Sequence, residues 1–396
     1  MSPKSAKTQK DKGTPFVSET ARFSRVSAEA YHERRKKVAH RSVAKRAALV
    51  TFSSLVIATV VAAVVWVASI QMRLNNSEVI NDNLRSTLTE QTAPSDPYYM
   101  LLLGTDGRPG ETEYRADSII LARVDPANKR VTLLSIPRDT YVTWKGTQMK
   151  INAVHFYDGA AGMVQIVNQL CGVKIAHYAE VNFDGLAGIT DAVGGVTVDV
   201  DQYMRDTENF SGVTELYAGR QTLNGQQALF YTRCRYAFAD SDYTRMRHQR
   251  TFIKALLAQV LSSGDPVKIA SIINATADMV VTDLSVADAI SLASQMIGLR
   301  ADTGIYTAYV PSAPETIGDQ SYVIADDDKL AKMMEIIDRG GNPSSLNDKT
   351  DAEADKEAGE GGSSEEPSTS RLTSASEEDS GHNDNPVTVN SEDVIQ

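Results

Sequence analysis

Apolar and polar positions divide this chain into segments of clearly different period. From Ala47 to Ile70 no charged residue occurs, and the run is dense in Val, Ile, Leu and Ala. A helix over that run would measure about 36 Å, enough to cross a hydrocarbon core of about 30 Å. From Tyr98 to Asp139 three apolar runs of strand length alternate with short polar segments, which predicts three strands. Met163, Ile166, Val167 and Leu170 then recur at helical spacing, predicting a helix over about 160–170. Strands are predicted at Tyr178–Phe183, Val196–Val200, Phe230–Arg235 and Ile305–Val310, with a short helix through Leu186 and Ile189. Residues 201–222 read as a polar, irregular loop. Longer helices are predicted from Asp242 to Ser262, Ser285 to Gly298 and Asp327 to Arg339. This alternation points to an α/β sandwich, not a β-sandwich or a helix bundle.

Charge divides the chain further. The formal net charge of −11 over 396 residues averages three unlike regions. Residues 1–46 are polar and basic and read as a disordered arm. Residues 47–70 read as a transmembrane helix with Trp66 as an interfacial anchor, and 71–96 as a linker. Residues 97–340 form the globular domain, and 341–396 an acidic tail too poor in apolar residues to bury a core. By the positive-inside rule the arm is cytoplasmic and the globular domain extracytoplasmic. Nucleic acid is not an expected partner, because the globular region has no basic footprint. Two cysteines, Cys171 and Cys234, without Cys-x-x-Cys spacing, argue against zinc.

Candidate chemistry gathers at the ends of the first strands. Asp106 and Asp117 each sit beside a strand, and two carboxylates completed by phosphate oxygens and water suit Mg²⁺. A turn aspartate at 106 and a salt-bridged one at 117 would explain the same residues. Arg108, Arg115 and Arg138 flank these strand ends, while Arg233 and Arg235, on the expected strand, would share a face. Asp242, Arg245 and Gln249 share a face of the long helix. Converging guanidinium groups repel unless an anion lies between them, and pyrophosphate matches their planar forks. Solvation, or pairing with Asp139, Asp240 and Asp242, is the alternative. No nucleophile elbow or Walker-type loop is present. His155, His177 and His248 lack ligand spacing and read as structural. An oxidising compartment permits a Cys171–Cys234 disulfide.

Seven motifs in order then carry a resemblance. Gly104-Thr-Asp106-Gly-Arg108, Arg115-Ala-Asp117-Ser118, Ser135-Ile-Pro137-Arg138-Asp139, Lys150-Ile-Asn152, Gly194-Gly195-Val196, Tyr231-Thr-Arg233-Cys-Arg235 and Asp242-Tyr-Thr-Arg245 with Gln249 resemble the LytR-CpsA-Psr family across about 97–263. The resemblance implies a three-layer α/β/α sandwich with a central mixed sheet. It also implies an enzyme that moves a glycopolymer from a polyprenyl-pyrophosphate carrier to peptidoglycan, with an apolar groove for the carrier. Asp106 and Asp117 look like its Mg²⁺ (or Mn²⁺) ligands. Arg115, Arg138, Arg233, Arg235, Arg245 and Gln249, together with Arg108, look like its pyrophosphate-binding set, with Arg233 and Arg235 also catalytic. Asp242 is the expected base. The cysteine pair resembles actinobacterial-type members and reinforces the disulfide expectation. Thr244 and His248 depart from the residues usual at those positions. A pyrophosphatase, a protein glycosylation enzyme using the same donor, and a non-catalytic polyprenyl-lipid-binding regulator are the competing functions.

Overall fold

The computed structural model describes residues 19–75, 78–106, 114–205, 212–213, 215–234, 241–262 and 265–347. Two expected site residues, Arg108 and Arg235, lie outside these, as do 1–18 of the arm and 348–396 of the tail.

The chain begins in one long helix, α1 (Glu19–Leu74), which takes in part of the basic arm that reads as disordered. Within it Thr51–Leu74 is, among the described residues, the one stretch long and apolar enough to cross a membrane. Its side chains Phe52, Leu55, Ile57 and Val64 are exposed, as they would be on a helix facing lipid. The last turn behaves differently. Ile70 and Leu74 are buried against Ala277 and Val286 of the globular domain. Gln71 accepts from the backbone N–H of Val286 at 2.7 Å, and Arg73 pairs with Asp278 at 3.0 Å. The apolar helix therefore packs directly onto the globular domain, although α2 (Asp82–Thr87) and the rest of the connector intervene in sequence.

Strands β1 (Tyr98–Thr105), β2 (Ala116–Asp125) and β3 (Arg130–Ile136) follow as an antiparallel meander. A small hairpin, β4 (Tyr141–Trp144) with β5 (Thr147–Lys150), leads into α3 (Ile151–Cys171). Gly159, at φ 58°, interrupts α3, so the helix expected from about 160 is its second segment. Next come β6 (Ile175–Asn182), α4 (Phe183–Ala192) and β7 (Val196–Val200). The stretch expected to be irregular contains short strands β8 (Met204–Arg205) and β9 (Glu215–Leu216), then β10 (Gly219–Leu223) pairing with β7. Helices α5 (Gly225–Arg233), α6 (Ser241–Ser262) and α7 (Pro266–Thr276), β11 (Val280–Thr282), α8 (Val286–Met296) and β12 (Ile305–Tyr309) come next. A hairpin, β13 (Ser312–Ile317) with β14 (Gln320–Ala325), precedes α9 (Asp327–Asp338). The pattern reading contains neither α7 nor this hairpin.

Among the described residues the central sheet has the order β11-β6-β1-β2-β3-β12. It is mixed: β6 lies parallel to β1 and β12 to β3, while the other neighbours are antiparallel. Alternation along the strands fills two helical layers. Leu101, Leu103, Ile119, Leu121, Leu134 and Ile136 pack with Val154, Val164 and Val167 of α3 and Leu330 and Met333 of α9. Ile120, Ala122, Val131 and Leu133 pack on the opposite face with Leu261, Met296 and the flanks of α6 and α8. The three-layer α/β/α sandwich with a mixed sheet is thus the observed fold.

Two expectations are corrected. Phe230–Arg233 lies in a helix instead of the expected strand, and Arg235 is outside the described residues. Asn224 accepts from the Gln227 backbone N–H while the Gln227 side chain accepts from the Asn224 N–H, a reciprocal cap that starts α5 and carries it to Arg233. The two-residue strand period therefore does not apply at Arg233. Nor do Cys171 and Cys234 form a disulfide. Cys171 ends α3 in the cluster under one face of the sheet, while Cys234 caps α5 in a separate cluster with Val198, Met204 and Phe252. Each is buried in a cluster that does not contain the other.

Candidate functional site

On the α4–α6 face the packing is incomplete. A cavity of about 210 Å³ lies between the sheet and the helices. Its walls are Leu102 and Ile120 from β1 and β2, Ala179 and Val181 from β6, Phe183, Leu186 and Ile189 from α4, and Phe252, Ile253 and Leu256 from α6. Gly104 keeps one wall thin, since a Cβ there would lie 2.9 Å from that of Ser118, its partner across β1–β2. The rim is polar: Asp117, Ser118, Asn182, Thr232, Arg233 and Gln249. An apolar pocket with polar groups gathered at one end suits a ligand that is itself amphipathic.

The rim is braced by a network that spans distant parts of the chain. Arg138, just beyond β3, donates to Asp117 at 2.6 Å, and its Nε lies 3.9 Å from both Asp139 and Asp242. Arg245, one turn along α6 from Asp242, pairs with it at 2.8 Å and donates to the Asp117 carbonyl at 3.4 Å. Asp117, Arg138, Asp242 and Arg245 are therefore one cluster. Burial opposes the charge on Arg138, but the hydrogen bond and charge of Asp117, then the charges of Asp242 and Asp139, outweigh it and hold the guanidinium more firmly cationic than usual. Lys150 extends the cluster by pairing with Asp139 at 2.9 Å.

Gln249 joins two elements: Ser118 donates to its carbonyl at 2.9 Å, and its amide donates to the Thr232 carbonyl at 3.3 Å. Arg233 ends α5 with its guanidinium carbon 3.9 Å from the centroid of the Phe183 ring, a cation–π contact at the cavity mouth. The structure thus brings together Asp117, Arg138, Arg233, Asp242, Arg245 and Gln249. Arg115 and Asp106 are exposed at the same end of β1 and β2, next to the partnered residues Thr105 and Ala116, without joining the ion cluster.

The sequence reading misses Phe183, whose signal lies only in the helix start that Asn182 caps. It also misses the buried support behind the rim. Arg247 and His248 meet Asp201 at 2.5 and 3.1 Å, and His248 stacks on Tyr231 with centroids 4.4 Å apart. Burial pushes the Asp201 carboxyl up, but His248 and Arg247 outweigh that and hold it down at about 2. His248, at a position where the family resemblance expects a different residue, is thus a structural partner of Asp201.

Asp106 and Asp117 offer oxygen alone, and one Asp117 oxygen already serves Arg138. No group of three or more His, Cys, Asp or Glu gathers for a metal among the described residues. Two carboxylates are the kind of donor a hard cation such as Mg²⁺ or Mn²⁺ would take, with its remaining positions left to phosphate oxygens and water.

Comparisons with known proteins were then drawn for the whole chain. Residues 64–339 match the LytR_cpsA_psr family. A polyisoprenyl-teichoic acid–peptidoglycan teichoic acid transferase, TagU of Enterococcus faecalis, is 36% identical over 198 residues, covering 49% of this chain and 63% of that protein. The chain thus spans less than two thirds of that curated relative's length. Among solved structures, TagV of B. subtilis superposes with a TM-score of 0.55 at 27% identity, covering 61% of this chain and 96% of TagV. TagT bound to LIIa-WTA gives 0.53 at 25%, covering 64% of this chain and 94% of that one. With no disulfide between Cys171 and Cys234, and the named organisms being Enterococcus faecalis and B. subtilis, the actinobacterial likeness finds no support.

Proposed function

The chain belongs to the LytR_cpsA_psr family, and we propose that it transfers a glycopolymer from a polyprenyl-pyrophosphate carrier to peptidoglycan. The observation that carries this reading is the apolar cavity whose mouth holds Arg233, Gln249 and the Asp117–Arg138 pair. A polyprenyl chain occupies the apolar part and the pyrophosphate meets the guanidinium groups. The related TagU is named for a polyisoprenyl-linked donor and a peptidoglycan acceptor, and TagT is bound to LIIa-WTA. Both support the same pairing of lipid carrier and wall polymer here.

In this reading an acceptor hydroxyl of the wall glycan attacks the phosphorus bonded to the polymer's first sugar. The phosphorus–oxygen bond to the carrier breaks, polyprenyl phosphate leaves, and a sugar–phosphate–glycan diester remains. Arg138, Arg233 and Arg245 offset the charge that grows on the leaving and equatorial oxygens, the largest usual contribution in phosphoryl transfer. Arg115, exposed at the strand end, adds to that field, and Gln249 orients the head group. Mg²⁺ or Mn²⁺, held by Asp106 and Asp117, supplies Lewis-acid polarisation of the phosphate oxygens when bound. Asp242 already holds Arg245 and Arg138, so we assign it that positioning first and proton acceptance second. The membrane helix, docked on α7 and α8, keeps the cavity near the lipid surface. The basic arm on its other side makes the domain extracytoplasmic.

The test uses the purified full chain, a labelled lipid-linked donor, and peptidoglycan present or withheld. Transfer predicts label joined to the wall through a phosphodiester, with polyprenyl phosphate released only when acceptor is present. Equal release without acceptor would make the protein a pyrophosphatase. Labelling of an added protein acceptor would make it a protein glycosylation enzyme. Donor binding with no turnover would leave a lipid-binding regulator.

A further inference from the structure

Behind the site, on the face of the sheet turned away from the cavity, a carboxylate is buried where the core would otherwise be apolar. Glu180 is 5% exposed, on β6 opposite Leu103 of β1. It shares the α3 face with Tyr178, whereas its neighbours Ala179 and Val181 line the cavity. A core carboxylate persists only where its oxygens are satisfied. Here Thr105 donates to Oε1 at 3.1 Å and the Tyr178 hydroxyl to Oε2 at 2.6 Å. Nε2 of His155, from α3, lies 3.6 Å from Oε2, and the Tyr114 hydroxyl bonds the same carboxylate. His155 Nδ1 lies 3.0 Å from the Tyr114 carbonyl, and the two rings pack at 4.9 Å.

Two of these partners occupy telling positions. Thr105 immediately precedes Asp106, and Tyr114 immediately precedes Arg115 and, two further on, Asp117. The carboxylate therefore grips both strand ends that carry the paired aspartates, through the backbone and without facing the cavity. We propose that Glu180 and His155 are positioning residues that set the spacing of Asp106 and Asp117, and so the affinity of that pair for a divalent cation.

The inference rests on the cation reading of the aspartate pair, and its test separates the two. Mn²⁺ alone is titrated into the full-length protein in detergent, with free ion counted by electron paramagnetic resonance. Thr105→Val and Tyr114→Phe each remove one hydroxyl with little change of shape, and Glu180→Gln removes the charge. Each is expected to weaken Mn²⁺ binding by about tenfold or more, the range for groups that orient metal ligands. Val164→Ala, a cavity in the same layer, is expected to lower the melting temperature and leave Mn²⁺ affinity unchanged. If Thr105→Val and Tyr114→Phe fold and bind Mn²⁺ within about twofold of wild type, the positioning role is wrong. If the wild-type protein binds no Mn²⁺, or Asp106→Asn with Asp117→Asn binds as well as wild type, the cation reading itself fails and the inference falls with it.

Discussion

One face of the central sheet is closed and the other is not, although alternate residues of the same strands build both. Leu101, Leu103, Leu121 and Leu134 point toward α3 and α9 and meet close packing. Leu102 and Ile120, one residue out of phase, help to wall the 210 Å³ cavity under α4 and α6. Apolar character therefore serves two ends here: cohesion on one side and, on the proposed reading, room for a lipid on the other. What distinguishes the faces is the charge at their edges. The open face ends in Arg233, Arg138 and Arg245, while the closed face carries a buried carboxylate that spends its bonds on the strand ends.

Substitutions on the two faces should separate stability from chemistry. The largest effect is expected at Arg233→Ala, which should lower transfer by about 100-fold or more while the melting curve stays near that of wild type. Leu134→Ala on the closed face should behave oppositely: chemical denaturation is expected to show a loss of about 2–5 kcal/mol, with unchanged turnover by the folded fraction. Leu256→Trp, on the open face, should raise the KM for a long-chain donor and change it less for a short-chain one, with little change in stability. If it impairs both donors equally, the cavity is not the lipid site.

A smaller effect concerns the support behind the rim. The Asp201 carboxyl is held at about 2, below its ordinary value of 3.8, so its stabilisation is present above that ordinary value and is lost as the pH falls toward about 2. Asp201→Asn should therefore cost on the order of 2 kcal/mol at neutral pH, and the gap from wild type should close between pH about 4 and about 2 in acid unfolding curves. The smallest effect is a null one. Reductant should leave the melting temperature unchanged, and Cys171, whose thiol burial pushes up to about 12, should resist alkylation until the protein unfolds.

Much of the closed face was legible because strand alternation has a period of two and the meander joins sequence neighbours. The convergence of Asp117 with Arg138 follows from the same simplicity, since both lie at one end of adjacent strands. The partnership of Gln249 with Ser118 and Thr232 joins three distant segments and needed the fold. Phe230–Arg233 was misread because aromatic and apolar residues in a short run satisfy a strand pattern. The reciprocal Asn224–Gln227 cap was the contrary signal. The cavity was not legible at all, since Phe252, Ile253 and Leu256 would look the same on a helix packed to full density. Compartment and cysteine count permitted a disulfide, but only geometry could place Cys171 and Cys234 in separate clusters.

The central claim is that the open face holds the carrier lipid with its pyrophosphate at the arginine rim. A structure of the full chain with a polyprenyl pyrophosphate bound tests this most directly. The account predicts the polyprenyl chain between Ile120 and Phe252, with the phosphates at Arg233 and the Asp117–Arg138 pair. A lipid seated instead on the outer surface of the α3–α9 layer, in the groove beside Tyr141, Leu170 and Met334, would contradict it.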